Sequence, residues 1–150
     1  MPNKAYAFIH DGTDLLLGSG GGRGKPLKTR TGNHLPGGTV DPSNSPAQQL
    51  MVELPQEMGI TLAVPPQAKS FVIAKAAFTI TFFVIAVPSV QALIQSAGKP
   101  TGNKPFDQPF ANVRTEKIAV AKATANFFNA MDETDWFGEG MVEAVKQKLL

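Results

Sequence analysis

Two apolar rhythms run along the chain. A period of two marks strands, because successive side chains of an extended backbone face opposite sides. Ala5 to His10 is rich in strand formers, Asp11-Gly12 is a turn signal, and Asp14 to Leu17 resumes as a strand, so the chain is expected to open on a hairpin with His10 at its turn. Ser70 to Phe78 and Ile80 to Val87 are two further strands. Lys75 is the only charge there, which points to burial in a sheet, and the adjacent Phe82 and Phe83 must serve opposite faces of its core.

A helical period takes over at Ala47, Leu50, Met51, Leu54 and Met58, which line up as one apolar stripe. Ser45 is suited to cap this helix, Pro46 to occupy its first position and Gln48 to close a capping box. Gly59 is free to go left-handed and end it. A shorter helix follows Ser89 through about Ala97, with Val90, Leu93 and Ile94 inward and Gly98 as its stop. The tail reads as an amphipathic helix with Met141, Val142, Val145 and Leu149 at helical spacing. Ile60 to Val64 reads as a short extended piece ahead of Pro65-Pro66. Val113 to Val120 suits a strand, and Thr124 to Met131 suits a helix or a strand.

Two loops are long enough to matter. Gly18 to Asn33 (GSGGGRGKPLKTRTGN) is glycine-rich and basic. It fails the Walker test, since Ser19 stands where glycine is needed and Pro26 where Ser or Thr is needed. It reads as a flexible surface loop, or as a lid whose Arg23, Lys25, Lys28 and Arg30 reach phosphates. Lys99 to Asn112 carries Phe106 and Phe110, expected to pin the loop to the core rather than to stack on a ligand.

Composition narrows the classes. At 150 residues, 43% hydrophobic and 17% charged, the chain is expected to be one globular domain, 1–150. It has no cysteine, which excludes disulfides and thiolate metal sites. A net charge of +2 is too small to imply nucleic-acid binding, and the basic loop lacks interleaved aromatics. The N-terminus lacks a signal-peptide pattern, and the longest apolar stretch, Phe78 to Val87, is too short to span a bilayer. The expectation is a soluble cytoplasmic protein with no membrane partner.

The candidate chemistry sits on the 46–58 helix. Glu53 and Glu57 are four apart and share one flank. Such a pair is either a solvated face or a site for a hard divalent cation, which prefers carboxylate oxygens. The surrounding string, HLPGGTVDPSNSPAQQLMVELPQEMGI from His34 to Ile60, resembles the Nudix box, G-x5-E-x7-R-E-U-x-E-E-x-G-U with U a bulky aliphatic residue. The opening glycine falls on Gly38 and the closing half on Val52 to Ile60, with no gap. Asn44 stands in place of the first glutamate, Val52 in place of the arginine and Gln56 in place of one glutamate, while Pro55 lies inside the helix.

The resemblance implies a mixed α+β fold, an α/β/α sandwich around a mixed sheet. It implies magnesium or manganese held by Glu53 and Glu57, with Gln56 offering a neutral oxygen and Glu133 or Glu116 as an acidic ligand from outside the box. It implies cleavage of a diphosphate bond in a nucleoside diphosphate linked to another group, with Glu53 and Glu57 as the catalytic carboxylates. Arg23, Lys25, Lys28, Arg30, Gly37 and Gly38 would then meet the substrate. Trp136 is expected in the core, and a homodimer is in keeping with the family. The box arginine normally orients a glutamate, which Val52 cannot do. A second function stays open: a Nudix fold that binds a nucleotide or a protein partner without hydrolysing it.

Overall fold

The central strand β1 (Lys4–His10) organises the sheet. In this computed structural model, which describes residues 3–23, 28–30, 32–102, 108–123 and 137–150 (backbone alone at 23 and 28), β1 turns through Asp11-Gly12 into the antiparallel β2 (Asp14–Ser19). The two strands pair only near the turn, at His10↔Leu15, and then splay apart. The glycine-rich loop forms a small antiparallel ribbon, β3 (Gly22–Arg23) with β4 (Lys28–Thr29). The chain then returns into the gap, where β5 (Asn33–His34) pairs with β2 and β6 (Gly37–Thr39) with β1. This wedge carries Gly37 and Gly38, as strand β6, alongside the central strand β1.

Helix α1 (Pro46–Met58) packs over β1 and β6. After it, β7 (Lys69–Ala74) and β8 (Thr79–Ala86) form a hairpin, and β8 runs parallel to β1 from Lys4↔Ile80 to His10↔Ala86. Helix α2 (Val90–Gln95) follows, then β9 (Asn112–Lys117) on the outer edge of β2, and finally α3 (Phe137–Lys146).

Both faces of the sheet are covered. Ala7, Ile9, Leu16 and Ile85 meet Leu50, Leu54 and Met58 of α1 and Val90 of α2. Tyr6, Phe8, Leu15, Leu17, Phe82 and Val84 meet Phe137, Met141 and Ala144 of α3. The result is the expected α/β/α sandwich with a mixed sheet. Phe82 and Phe83 divide between the two cores as alternation requires. Among the described residues, no helix is long and apolar enough to cross a membrane.

Several local expectations change. Met51 is 37% exposed, so the α1 stripe is narrower than read. Val142 and Val145 face outward, because α3 packs through Phe137, Gly138, Gly140 and Met141. The strand at 113–120 stops at Lys117; residues 118–123 are helical, and Ile118 and Ala121, three apart, share one core. Residues 60–64 form no strand. Thr124 to Met131, Phe106 and Trp136 lie outside the described residues.

The β1–β2 turn is tied by Asp11. Its Oδ1 accepts from the N–H groups of Asp14 at 2.7 Å and Thr13 at 3.0 Å, and its Oδ2 from that of Val90 at 3.0 Å. These donors, Asp14 first, then Val90 and Thr13, hold its carboxyl down at about 2 against an ordinary 3.8. His10 accepts from Gly12 N–H through Nδ1 at 3.1 Å, and burial pushes its imidazole down, opposed by the Asp11 charge.

A folded-state value below the unfolded one means that Asp11 adds stability in full above 3.8 and loses it as pH falls through about 2. Asp11→Asn is therefore expected to be less stable than the parent at neutral pH, with the two stability curves converging between pH 3.8 and about 2 in acid titrations of urea unfolding. Gly140 supplies a second test. A Cβ there would lie 2.6 Å from the Phe82 ring. Gly140→Ala is expected to lose on the order of 1–2 kcal/mol despite alanine's better helix propensity, read as a lower urea midpoint.

Candidate active site

Helix α1 is capped as its sequence dictates. Ser45 Oγ accepts from Gln48 N–H at 3.2 Å, and Gln48 Oε1 accepts from Ser45 N–H at 2.8 Å. At the other end Gly59 turns left-handed at φ +69°. The last carbonyls of the helix are served by the following loop. Thr101 N–H donates to Pro55 O at 3.4 Å, Gly102 N–H to Gln56 O at 2.9 Å and Phe110 N–H to Glu57 O at 3.1 Å. Pro55 does not divide the helix, which runs unbroken from Pro46 to Met58. So Glu53 and Glu57 keep their helical spacing.

The two carboxylates are set by different partners. Glu57 is buried, 4% exposed. Its Oε1 accepts from Gly37 N–H at 2.8 Å, and its Oε2 lies 3.5 Å from Arg30 Nη2. Glu53 is half-buried, and its Oε1 accepts from Gln49 Nε2 at 2.9 Å. The Gln49 amide is oriented in turn, because its Oε1 accepts from the Asp41 N–H and from Asn44 Nδ2, both at 3.0 Å. A backbone N–H can only donate, so the oxygen of Gln49 must face Asp41 and its NH₂ must face Glu53. Asn44, where the box has its first glutamate, thus supports Glu53 through Gln49.

Gly37 and Gly38 bring these carboxylates together. Gly37 has φ +142°, and a methyl there would collide with the Ala5 carbonyl. A Cβ on Gly38 would stand 2.9 Å from Glu53 Oε1. This bare stretch of β6 therefore lies between β1 and the acidic flank of α1. Expected at the substrate, Gly37 has its N–H committed to Glu57 instead.

Arg30 is the main correction. It was expected to reach over the substrate from a loose loop, but its side chain is 2% exposed. The guanidinium donates to Gln108 O at 3.0 Å and Gly20 O at 3.4 Å, and it lies over the Phe110 ring at 4.3 Å. Phe110 also contacts buried His34, with centroids 5.8 Å apart, and fills the space that a Cβ on Gly18 would occupy at 2.5 Å. It pins its loop to the core, as expected.

Of the other candidates, Glu116 is the one placed away from this site. Glu116 pairs with Leu15 in register and so shares the α3 face of the sheet, opposite α1, where Arg114 holds it at 3.3 Å. Gln56 is half-buried on α1. Arg23 and Lys28 belong to the β3–β4 ribbon by their backbones. Lys25 and Glu133 lie outside the described residues. Gln49 was missed by the sequence reading; its place four residues before Glu53, on the same flank, was the available signal.

No family model and no curated protein matches the sequence. Solved structures do match. A NUDIX hydrolase from Nitrosomonas europaea aligns with a TM-score of 0.59 and 17% identity over 99% of this chain and 90% of that one. A UDP-X diphosphatase aligns with a TM-score of 0.53 and 14% identity over 99% of this chain and 64% of that one. At such identities the likeness concerns architecture, and on that ground the chain has the fold of the Nudix hydrolases.

Proposed function

We propose that this protein is a metal-dependent pyrophosphohydrolase that cleaves a diphosphate bond in a nucleoside diphosphate linked to another moiety. One observation carries the reading: Glu53 and Glu57, on adjoining turns of α1, are both brought against the bare Gly37-Gly38 stretch of β6. Neither carboxylate is a loose surface group.

The donor set fits a hard cation. Magnesium is commonly held by one or two carboxylates, with substrate phosphates and water completing its shell. Glu53 and Glu57 supply the carboxylates and Gln56 a neutral oxygen. Among the described residues no group of three or more acidic or imidazole side chains could hold a metal ion, and substrate phosphates would complete the shell. Magnesium or manganese bound there would neutralise phosphate oxygens and acidify a water.

The chain's own residues do the rest. Glu53, steadied by Gln49, is the base that takes the proton of the attacking water. Glu57 anchors the site from the buried side. Arg23, Lys25 and Lys28, without Arg30, answer the remaining phosphate charge. The UDP-X diphosphatase, which shares this fold, supports a nucleoside diphosphate as the substrate class.

The test is turnover of dinucleoside and sugar-nucleotide diphosphates with and without magnesium. Glu53→Gln is expected to lower the metal-dependent rate roughly 100- to 10,000-fold, and chelation to abolish it. Binding of these nucleotides with no turnover under any metal would establish a binding protein instead.

A further inference from the structure

We propose that Arg30 is a positioning residue for Glu57. The inference rests on the reading of Glu57 as a metal ligand and adds the group that aims it.

The guanidinium is anchored before it meets the carboxylate. Gln108 O and Gly20 O both accept from its Nη1, the Phe110 ring lies against its face, and Arg30 N–H donates to Gly21 O at 3.1 Å. Glu57 is gripped at its second oxygen by Gly37 N–H. A carboxylate bonded at one oxygen and attracted at the other from a second direction is restrained about its last bonds. The 3.5 Å separation matters too. A short charge-assisted bond would measure about 2.7–2.9 Å. At the longer distance the positive charge steers Oε2 by attraction.

The charge has to come from outside α1. The helix, PAQQLMVELPQEM, contains no lysine or arginine, and Val52 is 42% exposed and aliphatic. Lysine at position 30 would keep the charge but lose the planar fork that reaches two carbonyls and the face that lies on Phe110.

The experiment is a Mn2+ titration of the full chain, followed by water-proton relaxation, on the parent, Arg30→Lys, Arg30→Met, Glu57→Gln and the double variant Arg30→Lys/Glu57→Gln. Thermal melts establish that each is folded. Arg30→Lys and Arg30→Met are expected to weaken Mn2+ binding roughly 10- to 100-fold and to lower kcat while leaving KM for the nucleotide unchanged. The double variant is expected to bind Mn2+ no more weakly than Glu57→Gln alone, since both changes remove one interaction. Folded Arg30→Lys that binds Mn2+ like the parent overturns the proposal, as does a loss that simply multiplies that of Glu57→Gln. If Arg30→Met fails to fold, the lysine arm decides. Parent-like Mn2+ binding by Glu57→Gln itself would remove the metal-ligand reading of Glu57, a failure distinct from that of Arg30.

Discussion

A buried carboxylate needs compensation, and the structure around α1 is arranged to provide it for Glu57. Removing one partner of a buried ion pair typically costs about 3–5 kcal/mol. The partners of Glu57 come from well-separated stretches: Gly37 N–H from the wedge between β1 and β2, and the Arg30 guanidinium from beyond the β3–β4 ribbon. Its backbone carbonyl takes Phe110 N–H from the loop before β9. Each demand propagates. Gly37 can approach only because it lacks a side chain, Phe110 can lie under Arg30 only because Gly18 leaves room, and β1 and β2 must splay for the wedge to enter.

What was legible in the sequence was local. The capping box, the left-handed glycine stop, the Asp-Gly turn and the alternation of Phe82 and Phe83 each depend on a few consecutive residues, and each is found as read. The box spacing pointed to the flank of α1 where Glu53 and Glu57 stand against β6. The partners of Arg30 were not legible. A basic residue in a glycine-rich loop looks solvated from sequence, and only the fold shows that two carbonyls, a ring and a carboxylate surround it.

The errors share a cause. Helical spacing counts large apolar side chains, so it assigned Val142 and Val145 to the inner face of α3. That helix packs instead through Phe137, Met141 and Ala144, and Gly140 lets its backbone approach Phe82. Small residues mark close contact, and a hydrophobic count cannot register them. Glu116 failed as a site candidate for a related reason: its residue type was suitable, but the register of β9 on β2 places it across the sheet.

The position of Arg30 also bears on how this protein matures. Its neighbours lie near residues 20, 57 and 108 to 110, so no early fragment of the chain can reproduce the constellation. A hairpin or an isolated helix emerging first would hold none of it. The surroundings of Glu57 and the completed native topology thus arise together.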